Sequence, residues 1–137
     1  MTAIQSATSN VATANNLAGG ATFPAYVAPH VVTLTDGASV AIDVSQGNDF
    51  RWPLGAGSHT LAAPSNPVNG QAITIAIAYA GLFTPLFNAK FDFGAGGQPT
   101  WTAASGKTDY VGFRYDSLLA SSAGSWAYTG SVLGLTS

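Results

Sequence analysis

The stretch "SGKT" at Ser105–Thr108 has the residue types of a phosphate-binding loop. Such a loop needs a glycine where Trp101 stands, and a helix after the threonine whose amino end faces the phosphates. The residues that follow, "DYVGFRYD", alternate like a strand. Lys107 is therefore expected in a turn or at an interface. "GAGS" at Gly55–Ser58 lacks the third glycine and the βαβ setting of a dinucleotide site and is expected to turn the chain. His30 and His59 are the only histidines, and neither has a partner at zinc-ligand spacing. Ser58 and His59 are adjacent, and adjacent side chains of an extended segment point to opposite faces, which works against a nucleophile–base pair. A pair among the six aspartates could in principle flank a glycosidic bond, which needs carboxyls roughly 5–9 Å apart across a cleft. Most of them stand in turn-like settings near Gly, Ser or Asn, so turn formation is the simpler role. None of the acidic residues forms the alternating pattern of a calcium loop. No catalytic, cofactor-binding or metal-ligating residue is assigned.

Composition narrows the function classes. Hydrophobic residues make up 47% of the 137 positions, enough for a core, whereas charged residues make up 7%, against roughly 25% in an average domain. The bases are Arg51, Lys90, Lys107 and Arg114, and every acid is an aspartate. A net charge of -2 offers no electrostatic handle for nucleic acid or an anionic membrane, so neither is expected as a partner. Without cysteine there is no disulfide framework. The first base is Arg51, so the amino end lacks the basic start of a secretory signal, and no apolar run approaches the ~18 residues of a membrane-spanning helix. So little ionic character implies that much of the exterior is covered by neighbours.

The elements that must position these residues read as short strands with turns between them. "SVAIDVS" puts Val40, Ile42 and Val44 on one face; "NDFRWPL" groups Phe50, Trp52 and Leu54, with Pro53 pointing to an edge or a strand end. "TDYVGFRYD" groups Val111, Phe113 and Tyr115, and "SWAYTG" pairs Trp126 with Tyr128. Turn signals fall at Asp36–Gly37, Gly47–Asn48, "PSNPVNG" and "GAGGQP". "DSLLASSAG" offers one helical turn at most, and no internal repeat is evident. The expected fold is all-β, an antiparallel β-sandwich or small β-barrel of about seven to nine strands over residues 31–137. The aromatics Phe50, Trp52, Trp101, Phe113, Tyr115, Trp126 and Tyr128 are expected in its core, with a carbohydrate-stacking surface as the alternative.

Two segments stand out as contact surfaces. Residues 1–30 carry no charged side chain and keep neither helical nor strand periodicity. They are expected to form an extended amino-terminal arm anchored on neighbouring subunits by Ile4, Val11, Leu17, Phe23, Tyr26 and Val27. In "QAITIAIAYAG", Ile73, Ile75, Ile77 and Tyr79 share a core face, while Thr74, Ala76, Ala78 and Ala80 share the other. A face of alanines lets another backbone come close, which suits Ala76, Ala78 and Ala80 to a subunit contact, as around a three-fold axis.

The ordered turns and aromatics resemble a β-domain of bacteriophage virion proteins, found in capsid decoration, head-fibre and tail-fibre components. The residues that carry the resemblance are Asp36–Gly37, Asp43, "GNDF" at Gly47–Phe50, Leu54, and "TLAAPSNPVNGQAITI" from Thr60 to Ile75. Phe91, Trp101, "ASGKTDYVGFRYD" from Ala104 to Asp116, and Trp126 complete it. The resemblance implies a virion component, often trimeric, without catalysis. A short chain opening on Met1 with an uncharged arm suits a protein added to a preformed shell. The expectation is thus a capsid decoration (cement) protein on the capsid surface, without a cofactor, bound to the major capsid protein or other virion subunits as a homotrimer. The alternative is a tail-fibre or tail-tip module that binds host-surface glycan; a small glycan-cleaving enzyme is a weaker third.

Overall fold

The structure, a computed structural model, describes residues 29–137. It is all-β, with nine strands among the described residues: β1 (Val31–Thr33), β2 (Ser39–Val40), β3 (Asp49–Leu54), β4 (Thr60–Leu61), β5 (Ala72–Tyr79), β6 (Leu86–Phe87), β7 (Phe91–Asp92), β8 (Lys107–Asp116) and β9 (Ser125–Thr136). They form a six-stranded sheet in the order β1-β3-β5-β8-β9-β7 and a three-stranded sheet in the order β2-β4-β6. Neither sheet closes into a barrel.

The expected antiparallel arrangement holds only for β5, β8 and β9, which pair antiparallel in sequence. From β1 to β6 the chain alternates between the sheets. Each return to a sheet therefore runs in the same direction as the strand before it. β1, β3 and β5 pair in parallel, as do β2, β4 and β6, and β7 joins β9 in parallel. Hairpin turns join antiparallel neighbours, and parallel neighbours need a crossover of a dozen or more residues. Here the crossover is a strand of the opposite sheet. The result is a stack of rungs, with about 18 to 26 residues between successive register partners, from Val31–Asp49 to Thr60–Leu86. The rungs repeat in space without repeating in sequence.

The sheets share one core. The larger contributes Phe50, Trp52 and Leu54 of β3, Ile73, Ile75 and Ile77 of β5, and Val111 and Phe113 of β8; the smaller contributes Val40 and Leu61. This is the alternation read from sequence, since successive residues of a strand face opposite sides. Full burial of each such side chain contributes about 1.5–3 kcal/mol. The apolar segment before Trp101 forms a second aromatic layer. Phe87 stacks on Trp101 with centroids 5.3 Å apart and meets Phe91 and Phe93 edge-on, each at 5.3 Å.

Pro53 lies in β3, which is an interior strand rather than an edge. It is tolerated because β1 has already left the sheet: the register ends at Thr33–Arg51, and the Leu34 amide donates to the Arg51 carbonyl at 2.8 Å. On that side Pro53 faces no strand that would need its missing N–H.

"DSLLASSAG" makes one turn of the opposite hand to that expected. Ala120 (φ 53°, ψ 47°) and Ser121 (φ 56°, ψ 44°) are left-handed, and Ser122 and Gly124 have φ of 66° and 75°. Left-handed backbone costs an L-residue roughly 1–2 kcal/mol. The carbonyls of Ala123 and Gly124 accept hydrogen bonds from Lys90 Nζ at 2.9 and 3.0 Å, which holds the turn against β7. A Cβ on Gly124 would run into the Tyr115 ring. Ala120→Gly and Ser121→Gly are thus expected to raise stability by up to about 1 kcal/mol each. Gly124→Ala is expected to lower it, with equilibrium urea unfolding as the measure.

Candidate functional site

The most completely enclosed polar group among the described residues is Asp109 of β8, which has no solvent exposure. β8 turns Asp109, Val111 and Phe113 to the same inner side, so the carboxylate enters the core beside apolar neighbours. Four donors meet it. Tyr79 Oη and the Thr102 amide bind Oδ2 at 2.8 and 2.9 Å; Thr102 Oγ1 and the Gly134 amide bind Oδ1 at 2.6 and 2.7 Å. A register shift between Thr108 and Tyr110 marks an irregularity in the β8–β9 ladder, and Gly134 adopts φ 75° there. The left-handed backbone, favoured by glycine, accompanies the amide that meets the carboxylate. Burial pushes the Asp109 carboxyl up, but the Thr102, Gly134 and Tyr79 hydrogen bonds outweigh it and hold the group below the ordinary carboxylate value. Burial first, and then the Asp109 charge and hydrogen bond, push the Tyr79 phenol well above its ordinary value. One aspartate thus joins β5, β8, β9 and the loop before β8.

A second carboxylate fastens one rung to the next. Asp36 Oδ1 accepts from Trp52 Nε1 at 2.8 Å and Oδ2 from the Gly55 amide at 2.7 Å. His59 Nδ1 lies 2.9 and 2.8 Å from the two oxygens. An ionised carboxylate only accepts, so Nδ1 carries the hydrogen. Burial raises the Asp36 carboxyl, and the Trp52, Gly55 and His59 contacts bring it below its ordinary value. An Asp–His pair in this orientation resembles the positioning half of a hydrolase triad. Among the described residues no hydroxyl hydrogen-bonds His59 Nε2, and Ser58, its neighbour in sequence, makes no hydrogen bond to the ring. The pair fastens the turn after β3 to the turn after β1. Local spacing carried no signal for it, because Asp36 and His59 meet only through the parallel stacking.

The other aspartates shape turns. Asp43 accepts from the Ser45 amide and hydroxyl and from Asn66 Nδ2; Asp92 accepts from the Gly94 amide and Asp116 from the Leu118 amide. Gln71 Nε2 donates to the Val44 carbonyl and to Asn48 Oδ1, both at 2.8 Å, tying "NPVNGQ" to "GNDF". The chain begins β8 at Lys107, directly after the turn at Ser105–Gly106, so no helix follows "SGKT". Among the described residues, no three His, Cys, Asp or Glu side chains gather at a common point.

The alanines of β5 lie on the outer face of the six-stranded sheet. Its registers align Thr33, Arg51, Ala76, Tyr110 and Val132 in one row and Pro53, Ala78, Thr108 and Leu135 in the next. Ala76 is 5% exposed because Arg51 and Tyr110 flank its methyl; Ala78 is half-buried and Ala80 exposed. A shallow concavity of about 350 Å³ opens beside them, lined by Arg51, Thr108, Tyr110 and the end of β9. Val31, Tyr110, Val132 and Leu135 are exposed. Asp49, Arg51 and Arg114 also belong to this face, and among the described residues they make no side-chain hydrogen bond. Phe50, Trp52, Phe113, Trp126 and Trp101 are buried, and Tyr115 and Tyr128 pack against them. The anchors Ile4, Val11, Leu17, Phe23, Tyr26 and Val27 lie outside the described residues. Comparison with protein-family models, with curated proteins and with solved structures found no match.

Two consequences of the Asp109 network can be measured. In Asp109→Asn one oxygen becomes an NH₂ group, which cannot accept from the Thr102 or the Gly134 amide that it then faces. An orphaned buried N–H costs about 1–3 kcal/mol, and urea unfolding at neutral pH is expected to show a loss of that size. Asp36 and Asp109 both have lowered folded values, so their contribution is whole above the ordinary aspartate value near 3.9. It is lost as pH falls through the lower folded values. Stability is expected to fall on acidification below about pH 4, and less steeply in Asp109→Asn, as read by unfolding midpoints across a pH series.

Proposed function

We propose that this chain is a non-enzymatic bacteriophage virion structural protein, a capsid decoration protein that binds the assembled head and stabilises it. In this reading residues 1–30 are an arm lying across capsid-subunit junctions. The two sheets are the layers of a β-sandwich, and copies associate as a trimer through the face that carries Ala76, Ala78 and Ala80. The observation that carries the proposal is the outer sheet face, where exposed Val31, Tyr110, Val132 and Leu135 surround small side chains. Exposed apolar side chains beside small residues suit a sheet face to close approach by a neighbouring surface.

The chemistry of the described residues supports a role without catalysis. Five of the six carboxylates accept hydrogen bonds from their own chain, in turns or in the core. A general acid or base needs a carboxyl open to substrate, and the Asp36–His59 pair has no nucleophile beside it. The tail-tip, glycan-binding alternative draws less support, because the aromatics that would stack on sugar rings fill the core.

A ligand that binds only the assembled shell stabilises it by mass action. Arm side chains such as Phe23 and Tyr26 would add about 25 cal/mol for each Å² of apolar surface they bury. Deleting residues 1–30 is expected to reduce occupancy on purified heads at least tenfold, as read by electron cryo-microscopy and by protein content after sedimentation. Wild-type occupancy by the truncated chain would refute the arm mechanism, and a tail location in the same images would refute the decoration role.

A further inference from the structure

β8 carries two opposite charges side by side without joining them. Arg114 and Asp116 are two residues apart on one strand, so both side chains leave the same face, with Cα atoms roughly 7 Å apart. They form no ion pair with each other. Each is placed by a different neighbour. Asp116 accepts from the Leu118 amide at 2.9 Å. A Cβ on Gly70 would stand 3.6 Å from Arg114 Nη2, so the guanidinium extends over the bare backbone of the turn before β5. The cross-strand neighbours of Arg114 are Ala72 and Ala127, which are too short to fill the space beside it. A cleft of about 360 Å³ opens there, with Asn69, Arg114, Asp116, Leu118, Leu119 and Thr129 among its lining residues. Sites for small ligands occupy roughly 300–1,000 Å³. Asn69 Oδ1 accepts from the Ser117 amide at 3.0 Å, so Asn69 offers the cleft its NH₂, a donor.

We propose that this cleft binds a carboxylate that also carries hydroxyl groups, the chemistry of a uronic acid unit. A guanidinium matches a planar carboxylate with two parallel N–H···O bonds, and the Asn69 NH₂ adds a third donor. An ionised Asp116 only accepts, so the ligand must bring a donor to it, and a hydroxyl does so. The same carboxylate repels further negative charge, which sets a singly charged acid above a phosphate. The two charges stand about one pyranose ring apart, so a carboxylate at one edge of the ring and hydroxyls at the other reach both. Exposed Leu118, with Leu119, offers apolar surface to the C–H groups of the ring. The site uses no aromatic stacking and is thus compatible with the burial of the aromatics in the core. It lies wholly on β8, β9 and the loops beside them and does not rest on the virion reading.

An NMR titration of the full-length chain with sodium galacturonate tests it, with galactose and inorganic phosphate as parallel probes. The expected result is saturable shifts of the Gly70, Asp116 and Leu118 amides with a millimolar or tighter dissociation constant, and at least tenfold weaker binding of both other probes. Arg114→Gln is expected to lower galacturonate affinity at least tenfold at an unchanged unfolding midpoint, because the side chain is exposed. Arg114→Lys keeps the charge without the fork and is expected to recover only part of the loss. Tighter binding of tri-galacturonate would mark a polysaccharide as the source and equal binding the free acid; either supports the site. No shift of these amides with galacturonate would overturn the proposal. So would equal binding of galactose, which would show that the charge is not read, or equal binding of phosphate, which would show that any anion suffices. Wild-type affinity in Arg114→Gln would also overturn it.

Discussion

The molecule depends on one constraint, the parallel register between successive passes of the chain. β1, β3 and β5 must lie side by side in one sheet while β2, β4 and β6 do so in the other. Every ladder bond between strands in this half joins residues far apart in sequence, so no rung is stable without its neighbour. The sheets bury each other's inner faces, and the core closes only when both are in register. A slip of one residue in β5 would carry Ile73, Ile75 and Ile77 outward and bring Thr74 and Ala76 in. The apolar alternation therefore fixes the register, and the register fixes where every turn falls.

Turns so placed need fastening, and carboxylates supply it. Asp36 holds the turn after β3 against the turn after β1 through Trp52, Gly55 and His59. Asp109 does the same where the parallel rungs give way to the antiparallel β5–β8–β9 ladder. Both are saturated with donors, the condition under which a buried charge is tolerated. The scarcity of ionic side chains becomes intelligible in these terms. Most aspartates accept hydrogen bonds from their own chain, and Lys90 and Lys107 donate to the turn carbonyls and to Thr136. Asp49, Arg51 and Arg114, without such bonds among the described residues, share the outer face of the larger sheet.

What could be read in the sequence was what period-two patterning encodes. The inner faces of β3, β5 and β8 follow from the apolar residues of "NDFRWPL", "QAITIAIAY" and "TDYVGFRYD", and the buried residues agree. Turns at Asp36–Gly37 and Gly55–Gly57 follow from glycine and aspartate chemistry. Strand direction did not follow, because alternation is identical in parallel and antiparallel sheets. Only connection length separates them, and here the connections contain strands of their own. β6 and β7 were missed because two-residue strands in "LFTPLFNAKFDF" are too short to show a period. The Asp36–His59 pair was hidden for the same reason as the direction, since it exists only once the rungs are stacked.

The left-handed turn at Ala120–Ser122 shows how such a fold places a strained segment. A right-handed turn is the ordinary outcome for "DSLLASSAG", and the opposite hand costs about 1–2 kcal/mol per residue. What supports it comes from outside the turn. Lys90, just before β7, binds the carbonyls of Ala123 and Gly124, and the Lys90 carbonyl accepts from the Trp126 amide and Ser125 hydroxyl at 2.8 and 3.0 Å. These bonds set β9 beside β7, where Trp126 pairs with Phe91 and is 1% exposed. The burial of one indole and the pairing of two strands thus offset the strain of three residues. The conformation of the turn is decided by where β9 must begin, and the local sequence yields to the sheet.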